Sequence, residues 1–180
     1  MKAKKTTLAG LLLLEPKILS DERGYFYESY NEQVFRGLSI DVKFIQDNVS
    51  KSYKGVVRGL HYQVGEFAQD KLVRVSNGAV LDVAVDIRPD SPTYGQWEGF
   101  LLSRENDRML FIPKGFAHGF TSITNDVVFN YKCSALYNKE SEGGIIWNDQ
   151  TLGIHWGLTE PIVSEKDLTL PKFGEHVQHY

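Results

Sequence analysis

Cysteine is almost missing from this chain: Cys133 is the only one in 180 residues. A lone thiol forms no internal disulfide, so a disulfide-stapled scaffold is excluded and a reducing cytoplasm is the expected setting. Helical periodicity is scarce too, with only Glu32–Arg36 and Lys139–Glu142 suggesting a turn or two of helix. Long apolar runs are absent. The longest, Leu8–Leu14, falls well short of the ~20 residues of a membrane span. Lys2, Lys4 and Lys5 precede that run as they would in a signal peptide. Glu15-Pro16-Lys17 breaks it at once and no small-residue cleavage site follows, so a β-strand is the expected state. An excess of positive charge is lacking as well: 20 basic residues face 23 acidic ones, for a net charge of −3. Without a basic stripe, nucleic-acid binding is not expected.

What is present points to β structure. Aromatics make up 12% of the chain, and 16 Gly with 6 Pro supply turns. The length suits one domain spanning residues 1–180, large enough to bury its own core. Apolar and polar residues alternate in Lys43–Val49, Val56–Tyr62, Lys71–Val75 and Ala79–Ile87. Asn77-Gly78 tolerates positive φ at both turn positions and predicts a hairpin between the last two. In Ala79–Ile87, Val80, Asp82, Ala84 and Asp86 fall on one face, and Leu81, Val83, Val85 and Ile87 on the other. Further strands are expected near Gln96–Ser103, Arg108–Ile112, Gly119–Ser122 and Val127–Ala135, with a turn cluster at Asp90–Gly95. Many short strands with regular turns indicate an all-β sandwich or barrel.

Two segments concentrate the chemistry. Arg58-Gly59-Leu60-His61-Tyr62-Gln63 and Ile112-Pro113-Lys114-Gly115-Phe116-Ala117-His118-Gly119-Phe120 each set a histidine in a strand-like stretch beside glycine. Glycine at such positions marks a turn or a close backbone approach. Residues two apart share a strand face, so His61 and Gln63 point one way, Leu60 and Tyr62 the other. A histidine on an inner barrel face is a satisfied core group, a metal ligand or an acid–base group, and the segment alone leaves these open.

Pro113-x-Gly115-x-x-His118 resembles the second signature of the cupin β-barrels. The first signature of that superfamily carries two metal-binding histidines, and here Gln63 occupies the second position. An amide is a poor transition-metal ligand, so no metal and no cofactor are expected. Several longer strings resemble the dTDP-4-dehydrorhamnose 3,5-epimerases, a metal-free cupin family. They are the segment around His61, Gln69–Val75, Val83–Arg88, Ser91–Gly95, Tyr131–Cys133 and Ile146–Asp149. The likeness runs from about Asp21 to Asp167 and implies a cupin-type jelly-roll β-barrel with a few short helices.

It also implies a reaction: dTDP-4-dehydro-6-deoxy-D-glucose to dTDP-4-dehydro-L-rhamnose, by inversion at two carbons flanking a ketone. Such chemistry needs a base on one face, a proton donor on the other, and stabilisation of the enolate between them. By resemblance, His61 is the base, Asp167 its carboxylate partner, Tyr131 the acid and Lys71 the cation beside the enolate oxygen. Arg58 and His118 match positions near the diphosphate, Gln46 and Asn48 match hydrogen-bonding positions, and Tyr137 matches a thymine-stacking ring. Glu28 and Glu142 match further substrate contacts. Arg23 and Phe26 match a segment donated by the partner of a homodimer. Each has a plainer reading: Tyr131 and Phe26 as core aromatics, Lys71, Arg23, Glu28 and Glu142 as solvated charges. Leu8–Leu14, read as an exposed edge strand, adds a physical reason for dimerisation. Two other functions share many of these features, a single-carbon epimerase of a related nucleotide sugar and a non-catalytic sugar-binding cupin.

Overall fold

Alternation along the sequence becomes two antiparallel sheets facing one another across an apolar interior. The structure, a computed structural model, describes residues 1–177. The elements, in chain order, are β1 (Lys2–Lys5), β2 (Leu12–Glu15), β3 (Leu19–Asp21), β4 (Gly24–Phe26), α1 (Glu32–Gly37), β5 (Gln46–Ser52), β6 (Val57–Gln63) and β7 (Lys71–Asn77). There follow β8 (Ala79–Asp86), β9 (Trp97–Ser103), β10 (Met109–Ile112), β11 (Phe116–Ser122), β12 (Val127–Cys133), β13 (Glu142–Gly144) and α2 (Glu165–Leu168). One sheet runs β1-β2-β10-β7-β12-β5, the other β13-β6-β11-β8-β9, and β3 and β4 form a separate ribbon. This is the cupin-type jelly roll that the motifs led us to expect.

The period-2 pattern explains the layers. Val73, Val75 and Phe129 from the first sheet meet Val80, Ala84, Leu102 and Phe120 from the second in the central core. Phe120 and Phe129 stack with centroids 4.3 Å apart. The opposite face of β8, carrying Val83 and Val85, packs with Ile87 just beyond it under a C-terminal coil through Leu152 and Trp156. Phe35 of α1 covers the far side of the other sheet with Leu14, Leu72 and Met109. Asn31 caps this helix by accepting from the Gln33 and Val34 amides, as N-cap side chains do.

Several expectations need correction. Leu8–Leu14 is not one strand: Leu8 and Leu11 are core residues of a turn, and only Leu12–Leu14 join β2. Nor is β2 an edge, because Lys2–Lys5 folds back and pairs with it. The edges of this sheet are β1 and β5, and the run of leucines is buried on both flanks instead of exposed. Asn77-Gly78 does turn, with Gly78 at φ 78°, but β7 and β8 do not pair. Each finds partners in a different sheet. Local turn chemistry signals reversal, whereas the pairing is set by which sheet buries each face. Lys139–Glu142 holds a bend leading into β13, since Glu142–Gly144 pairs with β6 instead of coiling. The strand expected from Lys43 begins three residues later, at Gln46, as β5.

Candidate active site

Strand register assembles the site row by row. Cys133 pairs with Lys71 on one side and Gln46 on the other, while Tyr131 pairs with Val73 and Asn48. Directly opposed residues share a sheet face, so Lys71, Gln46, Tyr131 and Asn48 project from one wall. From the other sheet, His61 pairs directly with His118. Here the glycines show their purpose. A Cβ on Gly59 would lie 2.6 Å from the Gly119 Cα, and one on Gly119 2.7 Å from the Arg58 carbonyl oxygen. Only paired glycines let β6 and β11 approach this closely. Between the walls lies a cavity of about 760 Å³.

Two histidines line it, each paired with a carboxylate. His61 Nε2 lies 2.7 Å from Asp167 Oδ1, and the other oxygen of Asp167 accepts from the Gly59 amide at 3.2 Å. Ser164 caps α2 by accepting from the Asp167 amide. Burial pushes the Asp167 carboxyl up, but the His61 hydrogen bond and charge, the Gly59 amide and Ser164 outweigh it and hold it below the usual value. A carboxylate at Nε2 keeps the proton on that nitrogen and leaves Nδ1 as the basic one. The second pair joins His118 Nε2 to both oxygens of Asp82, at 3.1 and 3.0 Å, in a buried setting.

The facing groups are tuned by burial. Lys71 donates from Nζ to the His61 carbonyl at 3.5 Å. Desolvation lowers its pKa, against the opposing pull of Cys133, Asp82 and Glu142. For Tyr131, desolvation and nearby Cys133 raise the phenol, with Arg58 pulling the other way. A phenol held above its usual range stays protonated and able to donate.

At the mouth, Gln46 donates to Asn48 at 3.0 Å and accepts from the Tyr137 amide at 2.8 Å. Tyr137 Oη donates to Glu142 at 3.0 Å, and Lys166 pairs with the other oxygen of that carboxylate. Arg58 is held by Ser52 Oγ at 3.0 Å and the Lys51 carbonyl at 3.2 Å. Gln63 spends its amide on structure. It donates to the Phe67 and Leu136 carbonyls and accepts from the Asn138 amide, clamping two loops where a metal ligand would stand in other cupins. Among the described residues, no group of three His, Cys, Asp or Glu is placed to hold a metal ion.

Ten of the thirteen predicted site residues thus line one cavity; Arg23, Phe26 and Glu28 do not. Arg23 pairs with Asp21 at 2.6 Å, Phe26 is 64% exposed, and Glu28 accepts from Asn31 at 2.9 Å. Sequence reasoning missed Asp82 and Lys166. Asp82 had a signal, since a carboxylate alternating with Val80 and Ala84 on a core-facing strand requires a buried partner. Lys166 had none beyond its place beside Asp167.

By architecture the protein is a cupin-type jelly roll with titratable groups on both inner walls, an arrangement suited to moving protons at a bound carbon. The family model described as dTDP-4-dehydrorhamnose 3,5-epimerase matches residues 5–175, and the chain belongs to that family of enzymes. It is 54% identical to the Salmonella typhimurium protein named dTDP-4-dehydrorhamnose 3,5-epimerase, over 93% of this chain and 92% of that one. The crystal structure of the Elizabethkingia anophelis protein of the same name matches with a TM-score of 0.93 at 49% identity, covering 97% of each chain. That of a dTDP-6-deoxy-D-glucose-3,5-epimerase from Legionella pneumophila, in complex with dTDP-4-keto-L-rhamnose, matches with a TM-score of 0.93 at 48% identity. It covers 97% of this chain and 93% of that one.

Proposed function

We propose that this protein converts dTDP-4-dehydro-6-deoxy-D-glucose to dTDP-4-dehydro-L-rhamnose, inverting C5 and C3 through enolate intermediates in dTDP-L-rhamnose biosynthesis. One observation carries the assignment of roles within the family. The His61–Asp167 pair at 2.7 Å stands on one wall, and Lys71 and Tyr131 stand on the other. His61 takes the proton next to the ketone. The electron pair moves into the carbonyl, and the oxyanion forms beside Lys71, the interaction expected to contribute most. Tyr131 returns a proton from the opposite face; His61 then releases its proton to solvent, the Tyr131 phenolate regains one, and the cycle repeats at the second carbon. Asp167 orients the imidazole and stabilises its protonated form.

The remaining residues serve the nucleotide. Arg58 and His118 face the diphosphate, Gln46, Asn48 and Glu142 hydrogen-bond the substrate, and Tyr137 stacks on thymine. Arg23 and Phe26 complete the site of a partner subunit in a homodimer, and Glu28 is a further substrate contact. Support comes from the β3–β4 ribbon, which among the described residues pairs only with itself and leaves Leu19, Tyr25 and Phe26 more than half exposed. Cytoplasmic residence is part of this reading. Among the described residues, no helix is long and apolar enough to cross a membrane.

Incubation with the 4-keto sugar nucleotide in heavy water, followed by NMR, tests the function. Deuterium at both C3 and C5 with formation of the inverted product is expected. Exchange at one carbon only would reduce the activity to a single epimerisation, and none would leave a binding protein. Mixing inactive Arg23→Ala and His61→Ala subunits tests the shared site. If exchange of subunits restores activity, one site of each heterodimer carries neither lesion. No recovery, or a monomer in sedimentation, would end the dimer proposal.

A further inference from the structure

Asp167 reaches His61 from far along the chain, on a helix of four residues. So short a helix has little stability of its own, so its position must come from its flanks. On the N-terminal side, Ile162 exchanges hydrogen bonds with the start of β6, Val57 amide to Ile162 carbonyl and Ile162 amide to Gly55 carbonyl, both 2.9 Å. On the C-terminal side, the Ile146 amide donates to the Pro171 carbonyl at 2.8 Å.

Between these anchors lies a contact with a direct bearing on the site. Gly144 stands opposite His61 in the β13–β6 register, so a side chain there would occupy the same face as the imidazole. Leu170 fills that space. A Cβ on Gly144 would come 2.7 and 2.8 Å from the two Leu170 methyls and 2.9 Å from the Leu60 carbonyl oxygen. Leu170 follows Asp167 by three residues, just past the Thr169 cap that ends the helix, so where Leu170 is seated constrains where the helix can lie. The absence of a side chain at Gly144 therefore opens a slot beside His61, and the leucine seated in it delivers the carboxylate to the imidazole.

We infer that Leu170 and Gly144 are positioning residues for the acid–base pair, acting through Asp167; the inference rests on the catalytic reading given above. Leu170 follows the helix that carries Asp167 and packs on Gly144, and neither residue lines the cavity.

The test uses full-length protein with isotope-labelled histidine. The chain has five histidines, and the ring N–H shared between His61 and Asp167 is identified by its loss in His61→Ala. The ring N–H of the His118–Asp82 pair serves as internal control. Leu170→Ala is expected to abolish the His61 signal while sparing the control. Turnover should fall about 10-fold to 100-fold, as for a displaced catalytic group, while affinity for dTDP stays within about twofold. Gly144→Ala should act alike by expelling the leucine, and Leu170→Met should restore both signal and turnover. Retention of the His61 signal and of turnover in both disruptive variants would overturn the inference. So would loss of dTDP affinity in step with turnover, or loss of the control signal, since each marks a general structural defect. Asp167→Asn separates the two levels. If it leaves turnover intact, the catalytic reading itself fails; if it lowers turnover while Leu170→Ala does not, only the positioning role fails.

Discussion

The two histidine–aspartate pairs share an interaction and differ in how the fold supplies it. The side chain of His61 is 31% exposed and its carboxylate 4%, whereas His118 and Asp82 are 9% and 0% exposed. Asp82 sits on β8, hydrogen-bonded to β11, which carries His118. That pair is built into one sheet. Asp167 comes instead from a short helix docked against β6, so its pair depends on segments far apart in sequence. The His118–Asp82 pair rests on backbone hydrogen bonds between neighbouring strands, while the His61–Asp167 pair depends on how the segment carrying α2 packs against β6. The comparison teaches that two dyads of like contact geometry on one cavity can differ in role: the enclosed imidazole of His118 is held as a donor, and the more exposed one of His61 is placed to take a proton.

The largest effect should come from breaking the exposed pair. His61→Ala is expected to lower exchange at both carbons by at least ~100-fold, within the range for a general base. Heavy-water NMR measures this, and retention of normal exchange would remove His61 from the role. Tyr131→Phe should be next. The ring keeps its place beside Phe129 and loses only its hydroxyl, so exchange should persist while net inversion fails. Normal conversion would transfer the acid role to another group.

Breaking the buried pair should read out mainly in stability. Asp82→Asn removes the charged partner of an enclosed imidazole and is expected to cost about 1–3 kcal/mol in urea unfolding. Its effect on exchange should be smaller than that of His61→Ala. A reversed order, with stability unchanged and exchange abolished, would make the buried pair the catalytic one. The smallest effect concerns acid. The folded pKa of Asp167 is lowered, so its ionised form adds stability that is fully present above the unfolded value of about 3.9 and is lost as pH falls through the lower folded value. Asp167→Asn should therefore flatten the decline in urea midpoint below pH ~4. An unchanged slope would show that other carboxylates dominate there.

Much of the site was legible because strand chemistry is local. Period-2 alternation put His61 and Gln63 on one face and Leu60 and Tyr62 on the other, and the latter two do join the outer core. The glycines of both signature segments announced a close approach that Gly59 and Gly119 make. Family resemblance supplied what no periodicity contains, the pairing of His61 with Asp167. Failures came where pairing is nonlocal. Asn77-Gly78 specifies a turn, yet which sheet each flanking strand enters depends on the faces they bury. Leu8–Leu14 reads as a strand, yet Lys2–Lys5 folds over it and removes the edge.

By itself, then, the order of residues determined which positions face inward, where the chain turns, and which side chains have the chemistry to move a proton. Those properties follow from the two-residue period of a strand and from the conformational freedom of glycine, both of which act within a few residues. Only the tertiary structure decided that Asp82 meets His118, that Lys166 closes on Glu142, and that Leu170 seats Asp167 against His61. Each of these contacts joins segments whose separation along the chain carries no signal, and each exists because burying the apolar faces of two sheets leaves one way for the coils between them to pack.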